Sequence, residues 1–118
     1  MTGRSHTGQQ GPIPAITVRE ARQRLAYTGA QPPAALIDVR EPWEYADGHA
    51  AGAISLPLSD LQARSGEVPR DRDIFLICQV GQRSMVAARF LRQQGVERVF
   101  NVDGGTDAWQ AAQLPVER

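Results

Sequence analysis

The sequence predicts an α/β domain built on a mainly parallel sheet. Short apolar runs alternate with segments of helical periodicity along the chain. The runs lack a polar residue at every second position, the pattern of strands buried on both faces. At 118 residues the chain suits one domain, and no internal repeat is visible.

Residues 1–14, rich in Gly, Gln, Thr, Ser and Pro, read as a disordered leader; residues 15–118 form the single domain. Thr17 and Glu20 form a capping-box pattern opening a helix that carries Val18, Ala21, Leu25 and Ala26, with Gly29 placed to close it. Gln31-Pro32-Pro33 forces a turn. Ala35 to Val39 reads as a buried strand, and Glu41 to Asp47 as a short helix with Pro42 at an early position. Ile54 to Leu56 is a brief strand. Ser59 caps a helical piece running through Arg64, and Ser65 to Asp71 is a surface turn. Asp73 to Cys78 is the clearest strand. A loop containing Gly81 leads to a helix from about Ser84, ended by Gly95. Val96 to Val102 is a further strand, Asp103 to Gly105 a tight turn, and Thr106 the cap of a last helix carrying Trp109.

Composition narrows the chemistry. Thirteen basic and thirteen acidic side chains cancel, which disfavours nucleic acid and anionic membrane surfaces as partners. No apolar run approaches a membrane span, and the opening stretch lacks the apolar centre of a signal peptide, so a cytoplasmic protein is expected. Every basic residue is Arg, which removes Schiff-base chemistry and the P-loop lysine. The single Cys excludes an internal disulfide, a CxxC pair and a multi-thiolate zinc site. No metal or cofactor is expected.

Cys78 lies where an apolar strand stops and a short loop enters a helix. In open parallel sheets, ligands bind beyond the carboxyl ends of strands. The helix N-terminus directs amides and a positive dipole end at the loop, Gly81 lets the backbone turn, and Arg83 adds a cation. That setting lowers a thiol pKa and holds an anion on or near the sulfur. The alternative is a buried structural cysteine at a strand end. The residues alone leave both open.

Leu36-Ile37-Asp38-Val39-Arg40-Glu41, Tyr45-Ala46-Asp47-Gly48-His49, Gly52-Ala53-Ile54 and Leu56-Pro57 resemble, in order, the first half of a rhodanese domain. Cys78-Gln79-Val80-Gly81-Gln82-Arg83-Ser84 resembles its active-site loop. Asn101-Val102-Asp103-Gly104-Gly105 with Trp109, and Leu114-Pro115-Val116, resemble its closing segment and tail. The resemblance implies a five-stranded, mainly parallel sheet with helices on both faces. It also implies sulfurtransferase chemistry: Cys78 takes a sulfane sulfur from thiosulfate or a thiol persulfide and passes it to a thiol, a small molecule or an acceptor protein, or to cyanide. The amides from Gln79 to Ser84 would hold the anionic outer sulfur.

Two other activities fit a similar fold: a non-catalytic binding or regulatory module, and a small phosphatase. Four residues separate Cys78 from Arg83, whereas the similar tyrosine phosphatases carry one more, widening the cradle for phosphate. Gln79, Val80 and Gln82 leave the loop less basic than in thiosulfate-preferring relatives. The Cys-Gln-Val-Gly form resembles rhodanese domains joined to disulfide reductases, which implies a low-molecular-weight thiol persulfide as an alternative donor to thiosulfate.

Asp38 and Arg40, at the end of the first core strand, either brace the loop and line its mouth or form an internal ion pair or helix cap. His49 is assigned a hydrogen-bonding role in the fold, Trp43 and Trp109 packing roles, Gly104 and Gly105 turn geometry, and Ser84 either a helix cap or a hydroxyl lent to the persulfide. Arg19, Arg22 and Arg24 form a solvated helix face.

Overall fold

The computed structural model describes residues 11–29 and 32–118. Five parallel strands form one sheet in the order β1 (Ala15–Ile16), β6 (Val99–Val102), β5 (Ile74–Ile77), β2 (Ala35–Asp38), β4 (Ile54–Ser55). Two shorter strands, β3 (His49–Ala50) and β7 (Val116–Glu117), pair antiparallel as a separate ribbon. The helices are α1 (Val18–Ala26), α2 (Pro42–Asp47), α3 (Leu61–Arg64), α4 (Gln82–Gln93) and α5 (Gly105–Ala111), with single 3₁₀ turns on either side of α3.

The sheet is buried on both sides, as its unbroken apolar runs require. Ile37, Ile74, Leu76 and Val99 point to one face, where Leu61 of α3 and Ala87, Ala88 and Leu91 of α4 cover them. Leu36, Phe75, Ile77 and Val102 point to the other, under Val18 and Ala21 of α1 and Trp109 of α5. This is the two-residue alternation of a pleated strand, with both faces apolar. Each fully enclosed large side chain contributes roughly 1.5–3 kcal/mol by leaving water.

Residues 11–14 belong to the fold: Ile13 is 8% exposed and packs in the α4-side core, and the Pro14 carbonyl accepts from the Asn101 amide at 2.9 Å. A buried isoleucine flanked by prolines carries no periodic signal. The rest of the expected leader, residues 1–10, lies outside the described residues, as does Gln31 of the expected turn. Strands β1, β3 and β7 are two residues each and were not expected, since two residues cannot display a period.

Several expected caps differ. Thr17 does accept the Glu20 amide at 3.1 Å, but α1 ends at Ala26, before Gly29. Asp60, not Ser59, precedes α3. Gly104 precedes α5, and α4 starts at Gln82 with Gly81 before it, so neither Thr106 nor Ser84 is a cap. Both are buried inside helical first turns, where their hydroxyls serve the site.

Candidate active site

Parallel pairing puts the carboxyl ends of β2, β5 and β6 at one edge of the sheet, with Asp38 opposite Ile77 and Asn101 opposite Leu76. Cys78 follows β5 directly and is 1% exposed. Three residues later Gly81 has φ +105°, a left-handed conformation that glycine adopts without strain. It turns the chain into α4, so the sulfur sits beneath the helix N-terminus. Sγ receives the Gly81 amide at 3.1 Å and the Ser84 amide at 3.3 Å. Ser84 Oγ lies 3.2 Å from it.

Burial pushes the Cys78 thiol up; the Ser84 hydroxyl and the amides of Ser84, Gly81 and Val80 outweigh it, so the net direction is down from the ordinary thiol value. The negative sulfur is thus the favoured form relative to a free cysteine.

A second layer holds these donors in place. Asn101, inside β6, donates Nδ2 to the Gly81 carbonyl at 3.0 Å and accepts from Ser84 Oγ at 2.5 Å. Ser84 has one hydroxyl proton and two acceptors, Sγ and Asn101 Oδ1. At the opposite wall, α5 aims its own N-terminus at the strand end. The Thr106 amide and hydroxyl donate to the Cys78 carbonyl at 2.8 and 3.0 Å, and the Asp107 amide to the Gln79 carbonyl at 3.1 Å. Gly105 makes this approach possible: a Cβ there would meet the Cys78 and Gln79 carbonyl oxygens at 2.5 and 2.6 Å.

Asp38 and Arg40 form a buried ion pair, with Arg40 Nε and Nη2 donating to the Asp38 carboxylate at 2.8 to 3.1 Å. Arg40 also donates to the Gly48 carbonyl at 2.8 Å and to Gln79 Oε1 at 3.0 Å, bracing the loop. The other end of the Gln79 amide donates to Asp107 Oδ1, so its side chain bridges Arg40 and α5.

Arg83 stands apart from its expected place. Because α4 begins at Gln82, Arg83 projects from the first helical turn towards α2, and Nη1 and Nη2 donate to the two Glu44 carboxylate oxygens at 2.7 and 3.0 Å. Gln82 shares that turn, and Val80 is half exposed at the loop tip. Glu44 also accepts the Glu41 amide at 2.9 Å. These bonds, the Arg83 contact foremost, hold its carboxyl down at about 2 against the opposing effect of burial.

Beside the loop a cleft of about 240 Å³ is lined by Arg40, Trp43, Glu44, Gln79, Thr106 and Gln110. Trp43 is 71% exposed, not packed as expected, whereas Trp109 is fully buried and donates Nε1 to the Pro115 carbonyl at 2.7 Å. A larger depression, about 680 Å³, lies along α1 and the edge strand β4 and holds no nucleophile. His49 has the structural role assigned to it: Nδ1 is 2.7 Å from the Tyr45 carbonyl and the ring stacks on Tyr45. Among the described residues no group of three or more His, Cys, Asp or Glu could hold a metal ion, and no helix is long and apolar enough to cross a membrane.

Sequence reasoning missed Asn101 and Glu44. Asn101 had a legible signal, an amide inside an apolar strand, where such a group needs partners. Glu44 had none: its partner is far away in sequence, and acidic residues in short helices are common.

A thiol at a strand end, ringed by the amides of a tight loop and a helix N-terminus, invites comparison with known proteins. A "Sulfurtransferase" of Allochromatium vinosum is 42% identical over 81 residues, covering 69% of this chain and 76% of its own. The Bacillus subtilis "Uncharacterized protein YqhL" is 42% identical over 93 residues, 79% of this chain and 71% of its own. A crystal structure of a rhodanese-related protein from Thermoplasma volcanium superposes with a TM-score of 0.77 at 28% identity, covering 89% of this chain and 98% of that one. The family description "Rhodanese-like domain" matches residues 17–112, from the Thr17 cap of α1 to the end of α5. With the match spanning every strand and helix that builds the cradle, the chain belongs to the rhodanese-like domain family.

Proposed function

We propose that the protein is a sulfurtransferase that carries a sulfane sulfur on Cys78. The carrying observation is the convergence of the Gly81 and Ser84 amides and the Ser84 hydroxyl on one buried sulfur. An amide ring around a single atom suits a negative charge on sulfur. The relative named a sulfurtransferase supports the reading.

The chemistry runs in two exchanges. The Cys78 thiolate attacks the outer sulfur of thiosulfate or of a thiol persulfide. The donor S–S bond breaks, sulfite or thiolate leaves with the electron pair, and Cys78 becomes a persulfide whose outer sulfur is anionic. An acceptor thiolate, on a small molecule or a protein, or cyanide in an assay, then attacks that outer sulfur and returns the Cys78 thiolate. The amide and hydroxyl donors that lower the Cys78 thiol take the place of a general base, and one cysteine suffices. Exchange of this kind needs reduced thiols, so we assign it to the cytoplasm.

Intact-mass measurement after incubation with thiosulfate, and separately with a thiol persulfide, tests this. One sulfur mass should appear and should be removed by reductant or cyanide. Cys78→Ser, nearly the same size, should fold and gain nothing. A wild-type chain that takes no sulfur from either donor would instead be a binding module on the same fold.

A further inference from the structure

We propose that Glu44 sets donor specificity at the Cys78 site by charge: its two-point ion pair withholds Arg83 from a dianionic donor and tunes the site to donors with a single negative charge. This rests on the sulfur-transfer reading above.

A negative sulfur repels an anionic donor, so dianion binding needs a cation free to meet it. Among the described residues two guanidinium groups reach the loop, and both are committed. Arg40 is 3% exposed, and its donors go to Asp38, the Gly48 carbonyl and Gln79. Arg83 turns both terminal nitrogens to Glu44. The pair is well made. Glu44 is fixed from behind by the Glu41 amide, and its carboxyl, held at about 2, stays charged at every working pH. The Glu44 bonds first, and the Cys78 charge as a lesser contribution, raise Arg83 above its ordinary value. Arg83 thus feels the sulfur electrostatically while its hydrogen bonds point elsewhere. Asp47 lines the adjoining cleft beside Glu44. Around the mouth, the charges of Arg40 and Arg83 are matched by Asp38, Glu44 and Asp47, so the side chains there leave no unpaired cation for a second donor charge. A monoanion such as an alkyl persulfide or an alkanethiosulfonate suffers half the repulsion of thiosulfate.

Thiosulfate and methanethiosulfonate make a matched test. Each presents a terminal sulfur, which Cys78 takes as sulfite or sulfinate leaves with the electron pair; the donors differ by one charge. Glu44→Gln keeps an acceptor for the Glu41 amide and removes one negative charge. The potential change acts twice on a dianion, so the expected gain in the second-order rate of persulfide formation is about twofold with methanethiosulfonate and about fourfold with thiosulfate. Added salt should shrink both gains. Adding Arg83→Gln to Glu44→Gln should return the donor ratio to the wild-type value.

Equal gains, or none, in a variant with wild-type melting would overturn the proposal, as would a loss with both donors. The unmodified protein gives an independent check: its thiosulfate rate should rise with ionic strength, more steeply than its methanethiosulfonate rate, because like charges meet. A fall with salt would mean that a free cation serves the donor, and the proposal would fail even if Glu44→Gln did not fold. No sulfur transfer from either donor in the unmodified protein would instead defeat the sulfur-transfer reading itself.

Discussion

The Ser84 hydroxyl proton has two claimants, the Cys78 sulfur at 3.2 Å and Asn101 Oδ1 at 2.5 Å. Serving the first stabilises a thiolate; serving the second anchors the strand that pins the Gly81 carbonyl. Ser84→Ala removes both. The sulfur loses a donor while burial still opposes its charge, so the midpoint of alkylation rate against pH should move upward. Asn101 Oδ1 also loses a buried partner, at a cost of about 1–3 kcal/mol in unfolding free energy. A midpoint that does not move would assign the acidity to the amides alone. Arg83 shows the limit of reading one residue without its neighbours. Sequence proximity to Cys78 gave it the task of holding an anion; a helix beginning two residues earlier aims it at Glu44 instead.

Two helix N-termini close on the Cys78 segment, and each relies on a glycine at its start. Gly105 has φ +60° and sits where a Cβ would strike two carbonyl oxygens. Gly105→Ala should therefore force α5 away from β5, weakening the Thr106 and Asp107 bonds to the Cys78 and Gln79 carbonyls. The expected loss is about 1–3 kcal/mol or more of stability, together with slower sulfur transfer, measured by denaturant unfolding and persulfide formation. A stable, fully active variant would show that α5 does not seat the loop. At this scale the sequence was most legible where an element is long. The run Asp73 to Cys78, the helical face of Ala87, Ala88 and Leu91, and the turn glycine before α4 all carry their own period or backbone signal. The ribbon of β3 and β7 and the edge strand β1 do not, because pairing partners far along the chain define them. For the same reason the Gly105 contact was read only as turn geometry: the atoms that forbid a side chain there belong to Cys78 and Gln79.

At the scale of the whole molecule, the reactive sulfur is a property of the assembled fold. Its donors lie on the loop and α4, Asn101 on β6, and the braces on β2, α2 and α5, so unfolding disperses all of them. The thiol then returns to about 8.5, the value of a free cysteine. The folded value lies lower, since the Ser84, Gly81 and Val80 donors outweigh the upward push of burial. Between the two values the folded chain binds fewer protons than the unfolded one, so stability rises with pH through that window. The contribution is complete above about 8.5 and vanishes as pH falls through the folded value; each tenfold difference in acidity corresponds to about 1.4 kcal/mol. Cys78→Ser supplies the reference, because its hydroxyl does not titrate there. Urea unfolding of both proteins under reducing conditions, from about pH 5 to about pH 9, should give a difference that grows with pH in favour of the wild type and then levels. A difference that shrinks as pH rises would mean that burial raises the thiol above its free value, and the ionised sulfur on which the transfer chemistry depends would lose its support.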